Sequence, residues 1–93
     1  MKKSSLTIED TVFVDCPVSY KGKVVVPDGI TDIGDKAFMF CNDVNEVIPP
    51  DTLEGIGMCA FHGCGFSKIK IPESCQYISD YAFLCCQQLK GIY

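Results

Sequence analysis

Long apolar runs are missing from this sequence. None approaches the ~18 residues that a membrane-crossing helix needs, so membrane insertion is not expected. Basic patches are missing as well. Eight lysines and arginines stand against twelve aspartates and glutamates, a net charge of −4 that argues against nucleic acid or an anionic membrane as partner. The N-terminus carries Lys2 and Lys3 but turns polar at once through Ser4, Ser5 and Thr7. It holds no apolar core of an export signal, so the chain as written reads as cytoplasmic. Histidine occurs once, as His62, and no Cys-x-x-Cys pair occurs. These lacks remove the usual hooks for structural zinc and leave one residue to serve as the base of a nucleophilic relay.

Cysteine, by contrast, is plentiful, with seven in 93 residues. Seven is odd and no export signal accompanies it, so reduced thiols are expected and not a disulfide framework. A repeat explains their placement better. Ile33-Gly34-Asp35-Lys36-Ala37-Phe38-Met39-Phe40-Cys41 returns as Ile56-Gly57-Met58-Cys59-Ala60-Phe61-His62-Gly63-Cys64 and again as Ile78-Ser79-Asp80-Tyr81-Ala82-Phe83-Leu84-Cys85-Cys86. The Ala-Phe pairs lie 23 and then 22 residues apart, and Pro27, Pro50 and Pro72 each stand six residues before the isoleucine. A period of this length marks a solenoid, whose units bury their apolar sides against one another. Cys41, Cys64 and Cys86 share one slot, and Cys75 fills the slot of Ile30 and Leu53, so these four read as small buried hydrophobes.

Residues 1–23 stand outside the repeat and are expected to form an N-terminal β cap, with a short strand at Thr11-Val12-Phe13-Val14. Residues 24–93 hold the repeats, as 24–46, 47–69 and 70–93, the last running into an incomplete fourth strand. Before each proline, Val24 and Val26, then Val44 and Val47, then Phe66, Ile69 and Ile71 alternate as the buried side of a strand. After it come polar turn residues and the inward Ile30 and Ile33. Residues 34–41 are expected to form a short helical turn closed by the cysteine. The second unit is one residue short between Cys64 and Pro72; the loop around Gly65 should absorb the difference while the strand register holds. The expected fold is therefore an α/β repeat, a short solenoid of about three units of strand plus helical turn behind an N-terminal cap.

Val47, Pro49, Pro50, Leu53, Ile56, Gly57, Ala60, Phe61 and Cys64 fall in the slots of L-x-x-I-x-(I/L)-P-x-x-(L/V)-x-x-I-G-x-x-A-F-x-x-C. The chain thus resembles the BspA-type leucine-rich repeats, a family of surface-antigen-like proteins, over roughly residues 12–93. The Cys16-Pro17 pair and Val26-Pro27-Asp28-Gly29-Ile30 are similar to the lead-in before such repeats. The resemblance implies binding of other proteins or matrix, and a location at the cell surface or in secretion.

Leucine-rich solenoids usually bind through the exposed side of their strands. The outward slots hold Val25, Ile48, Lys70 and Tyr93 in one row, and Lys23, Glu46, Lys68 and Gly91 in the other. Lys23, Val25, Glu46, Ile48, Lys68, Lys70 and Tyr93 are accordingly the candidate partner-binding residues: apolar anchors beside lysines that steer an acidic partner. The other reading is an ordinary solvated sheet face whose charges discourage edge pairing.

A zinc or thiol role would draw on Cys59, His62 and Cys85, but Cys64 and Cys86 are needed inside the core and no four-ligand set is spaced for it. Asp28, Asp32 and Asp35 lack the spacing of a calcium loop and read as turn residues. No cofactor, resident metal or catalytic residue is expected, and the chain does not read as an enzyme. Finally, Leu89-Lys90-Gly91-Ile92-Tyr93 begins a strand with no cap after it. An open strand edge invites another chain, so end-to-end self-association through residues 89–93, or continuation into a longer array, is expected.

Overall fold

Alternating apolar residues followed by proline become strands, because proline has no N–H to continue a ladder. In the computed structural model, which describes residues 6–92, the strands are β3 (Gly22–Val25), β5 (Val44–Ile48), β7 (Lys68–Ile69) and β9 (Gly91–Ile92). They form the first side of successive layers. β3 and β5 pair in parallel, with Lys23 opposite Glu46, Val24 opposite Val47 and Val25 opposite Ile48; a bulge beside Gly22 accommodates Asn45. β7 and β9 pair likewise, Lys68 opposite Gly91 and Ile69 opposite Ile92.

The second side is one continuous sheet. β1 (Thr7–Glu9) turns at Asp10 into β2 (Val12–Asp15), and the two pair antiparallel. β2 is then followed in parallel by β4 (Asp32–Ile33), β6 (Gly55–Ile56) and β8 (Tyr77–Ile78), so the sheet order is β1-β2-β4-β6-β8. β2, β4, β6 and β8 make four rungs of a leucine-rich β-solenoid, and β2 serves as the first of them.

The third side corrects an expectation. Residues 34–41 and their repeats hold no helix; none of the described residues is helical. Lys36, Cys59 and Tyr81, at one slot, and Phe40, Gly63 and Cys85, at another, adopt the left-handed conformation, with φ between 57° and 75°. Each such residue ends a right-handed turn before a second one can form. The N–H groups then divide their work. Ala37, Met39 and Cys41 donate within their own layer, to the carbonyls of Gly34, Lys36 and Phe38. Lys36, Phe38 and Phe40 donate instead to Met58, Ala60 and His62 of the next layer, at 2.9, 2.7 and 2.7 Å. The following layer repeats this, from Cys59, Phe61 and Gly63 to Asp80, Ala82 and Leu84. A helix would have turned the later of those donors back onto its own carbonyls and left none of them for the next layer. The left-handed residues cost about 1–2 kcal/mol each, which the interlayer ladder offsets.

Inside, Phe13, Phe38, Phe61 and Phe83 stack as a column with ring centroids 4.8, 5.0 and 5.3 Å apart. Buried Ala37, Ala60 and Ala82 let the layers approach, and Ile33, Ile56, Ile30 and Leu53 close the column, all as the repeat predicts. Phe66 meets Phe61 and Phe83 edge-on. In the last layer, Ile78 is 44% exposed where Ile33 and Ile56 are buried, since no described layer covers it.

The shorter connection behaves as expected in one respect only. Phe66 and Ile69 take the buried slots of Val44 and Val47, so the inward register holds. Gly65 alone spans what Asn42-Asp43 span one layer earlier, and it does so pressed on the Asn42 carbonyl, where any Cβ would overlap that oxygen. Yet β5 and β7 are not paired. The strand side is split into β3-β5 and β7-β9. The break falls where the connection is one residue shorter and the large Phe66 ring takes the slot of Val44.

Candidate functional site

The strands place the candidate binding residues where the alternation puts them, pointing away from the core. Lys23 and Val25 stand on β3, Glu46 and Ile48 on β5, and Lys68 on β7 with Lys70 just beyond it; all six are exposed. Val25 is 56% and Ile48 39% exposed, and the two lie side by side across the β3-β5 pair. Three lysines and one glutamate make this face net positive on a protein whose overall charge is −4. Tyr93 lies outside the described residues.

The split between β5 and β7 adds something that the periodic slots did not select. A groove of about 760 Å3 runs along it, lined on one wall by Glu46, Ile48 and Asp51 and on the other by Ser67, Lys68 and Lys70. Ser67 and Asp51 were not among the candidate residues. The one signal for them is the 22-residue spacing of the second unit, which marks where two strands lose their pairing.

The cysteines are mostly wall material. Cys16, Cys41 and Cys64 are buried, whereas Cys75 and Cys86, expected to be buried too, are half-buried. The thiols form a column of their own: Cys41 Sγ donates to the Cys16 carbonyl at 3.4 Å, Cys64 Sγ to Phe38 at 3.0 Å and Cys86 Sγ to Phe61 at 2.9 Å. Burial pushes the thiols of Cys64, Cys75 and Cys86 upward from the usual range. Cys16 is raised by its hydrogen bond with Cys41 and then by burial. Thiols held protonated are poor nucleophiles and poor metal ligands.

His62 and Cys59 are half-exposed on the turn side, and Cys85 is exposed there. The His62 ring packs on Phe40, with centroids 5.1 Å apart, and Phe40 in turn leans over Gly63, whose hydrogen makes room for it. The imidazole is thus a packing partner on an open surface. Among the described residues no three His, Cys, Asp or Glu side chains gather in a way that could hold a metal ion, so Cys59, His62 and Cys85 do not form the centre a zinc role requires. The aspartates Asp32 and Asp35 are used structurally. Asp32 accepts from Thr31 and Tyr77, and Asp35 Oδ1 accepts from the Met58 N–H at 2.8 Å.

No described helix is long and apolar enough to cross a membrane. Comparison with known proteins agrees with the geometry. The profile described as "BspA type Leucine rich repeat region (6 copies)" matches residues 6–93. Among solved structures, a leucine rich cell surface protein from Faecalibacterium prausnitzii A2-165 superposes with a TM-score of 0.74 at 32% identity. The match covers 76% of this chain but 19% of that protein, so the chain spans about a fifth of its length. No curated protein matches the sequence.

Proposed function

The chain belongs to the BspA-type leucine-rich repeat family, and from that membership we propose that it is a non-catalytic binding module. It recognises another protein through the exposed face of β3, β5 and β7. The family points to protein interaction in general; the choice of face rests on one observation. Two outward rows, Lys23-Glu46-Lys68 and Val25-Ile48-Lys70, stand on a backbone held by the buried Val24, Val47 and Ile69, and none of the six contributes to the core. Apolar anchors beside the lysines of a net-positive face suit a partner that carries acidic groups next to an apolar patch. The similar solved structure is that of a cell surface protein, which supports a role in contact between proteins outside the cell.

The test uses two variants with equal numbers of substitutions. Random peptides displayed on phage are selected on the protein and then tested on Val25→Asp/Lys68→Glu/Lys70→Glu and on a turn-side set, Met58→Asp/Tyr81→Asp/Leu84→Asp. The strand-face set should abolish capture and the turn-side set should leave it. The reverse pattern would overturn the assignment of the face.

A second reading concerns assembly. On the last layer Ile78, Tyr81, Leu84 and Ile92 are exposed, and among the described residues β8 and β9 each pair on one side only. We propose that this end receives a further layer, from the same chain or a second copy. Sedimentation at rising concentration tests the second copy; the chain staying monomeric throughout would remove it.

A further inference from the structure

We propose that the slot between β5 and β7 is a binding groove for an extended peptide in which acidic and basic residues alternate. This rests on the strand-face reading above and narrows it to one place and one partner chemistry. Three observations lead there.

The first is the interruption itself. Among the described residues β5 pairs only with β3 and β7 only with β9, so the edges that face each other carry main-chain N–H and C=O groups with no described strand between them. The two strands still approach within 8 Å. A guest strand inserted in the sheet plane needs about 9.5 Å, twice the normal strand spacing. The groove therefore takes a chain lying in its mouth, with the main-chain groups of that chain directed down onto the unpaired edges. Its volume of about 760 Å3 lies within the roughly 300–1,000 Å3 typical of ligand sites.

The second is the charge of the walls. Lys68 and Lys70 line one wall; Glu46 and Asp51 line the other. A uniformly acidic peptide would suit one wall and be repelled by the other. The third is spacing. Lys68 on β7 and Lys70 just past its end are two residues apart and both exposed, which is about 7 Å along an extended chain. An extended peptide sends alternate side chains to opposite sides at that same interval. Laid in the mouth of the groove, a Glu-Lys-Glu-Lys segment presents carboxylates to Lys68 and Lys70 and ammonium groups to Glu46 and Asp51. Its polarity matches both walls at once.

The probes are two fluorescein-labelled peptides of equal composition, Gly-Glu-Lys-Glu-Lys-Glu-Gly and Gly-Glu-Glu-Glu-Lys-Lys-Gly, followed by anisotropy at low salt. The alternating peptide should bind about tenfold more tightly than the block peptide, and Lys68→Glu/Lys70→Glu should cost it about tenfold. Equal binding of the two, binding of neither, or indifference to the lysine reversal would overturn the groove.

A further variant replaces Gly65 by an Asn-Asp pair, restoring the longer connection of the preceding layer. It should close the slot and remove the alternating peptide while Lys68 and Lys70 stay on the face. Amide shifts on the wild-type protein give an arm that needs no variant: changes should centre on Glu46, Ile48, Lys68 and Lys70, and changes confined elsewhere would overturn the proposal. If phage-selected peptides are lost by the strand-face variant but kept by the Asn-Asp variant, the strand face stands and the groove falls. If the strand-face variant loses none of them, the broader reading falls.

Discussion

The Tyr77 hydroxyl donates to Asp32 Oδ2 at 2.6 Å across the whole width of an intervening rung. Asp32 is on β4, Tyr77 is on β8, and between them lies Gly55 of β6, over which the tyrosine ring rests; a Cβ at Gly55 would overlap the ring. Three residues that share one slot in successive layers are thus complementary in size and polarity. Tyr77→Phe should lower stability by about 1 kcal/mol, the worth of one hydrogen bond to a charged group on an exposed surface. Gly55→Val should displace the ring and lose the same bond. In the Gly55→Val background, Tyr77→Phe should then cost almost nothing, a coupling that urea titration of the double-mutant cycle would reveal.

The same bond gives an alkaline signature. It pushes the Tyr77 phenol above its ordinary range, because deprotonation would lose the donor beside a carboxylate. A group with a raised folded-state value contributes stability that is complete below the unfolded value, about 10, and is lost as pH rises through the folded value. The difference in urea midpoint between the wild type and Tyr77→Phe should therefore be constant at neutral pH and shrink above about pH 10. A gap that widened with pH would contradict the bond.

Lys36 offers a test by sign. It is exposed, with φ of 62°. In a helical turn Lys36→Gly would destabilise by about 1 kcal/mol, whereas in the left-handed conformation it should stabilise by about 0.5–1 kcal/mol by relieving the Cβ clash. The direction of the shift in thermal midpoint decides between the two.

Thiol reactivity should follow depth. Cys85 is exposed, while Cys16, Cys41 and Cys64 are buried, and burial raises Cys64 while the Cys41 hydrogen bond raises Cys16. With Ellman's reagent at mildly alkaline pH, Cys85→Ser should remove the fastest phase. Cys16, Cys41 and Cys64 should react only as the protein unfolds in urea. Equal rates for buried and exposed thiols would contradict the packing of the column.

The layered plan was legible because it is written three times. Proline offsets located the strands, and the slots of Val24, Val47 and Ile69 or of Ile33 and Ile56 pointed inward as their alternation requires. The third side was misread for a physical reason. Lys36, Cys59 and Tyr81 are ordinary residues with no glycine to announce a left-handed conformation; hydrogen bonds to the neighbouring layer impose it, and those are invisible along the chain.

The groove was half legible. A missing residue between Cys64 and Pro72 could be counted, but the loss of pairing depends on how Gly65 presses on Asn42 and where Phe66 puts its ring. The Asp32-Gly55-Tyr77 strap was hidden more thoroughly, since size complementarity between layers exists only once they are stacked.

Past Gly34, Gly57 and Ser79, which donate back to the layer before, the interlayer bonds of the turns run one way, from an N–H in one layer to a carbonyl in the next. Along the turns the stack therefore has a donor end and an acceptor end, like a row of magnets. Tyr81, Phe83 and Cys85 occupy the slots whose N–H groups serve as donors in the earlier layers. A layer that follows them satisfies these slots by offering carbonyls there, as Asp80, Ala82 and Leu84 do for the layer before. Along the turns, growth within one chain or between molecules is therefore matched head to tail, and a symmetric face-to-face pairing of two such ends would leave these donors opposite donors.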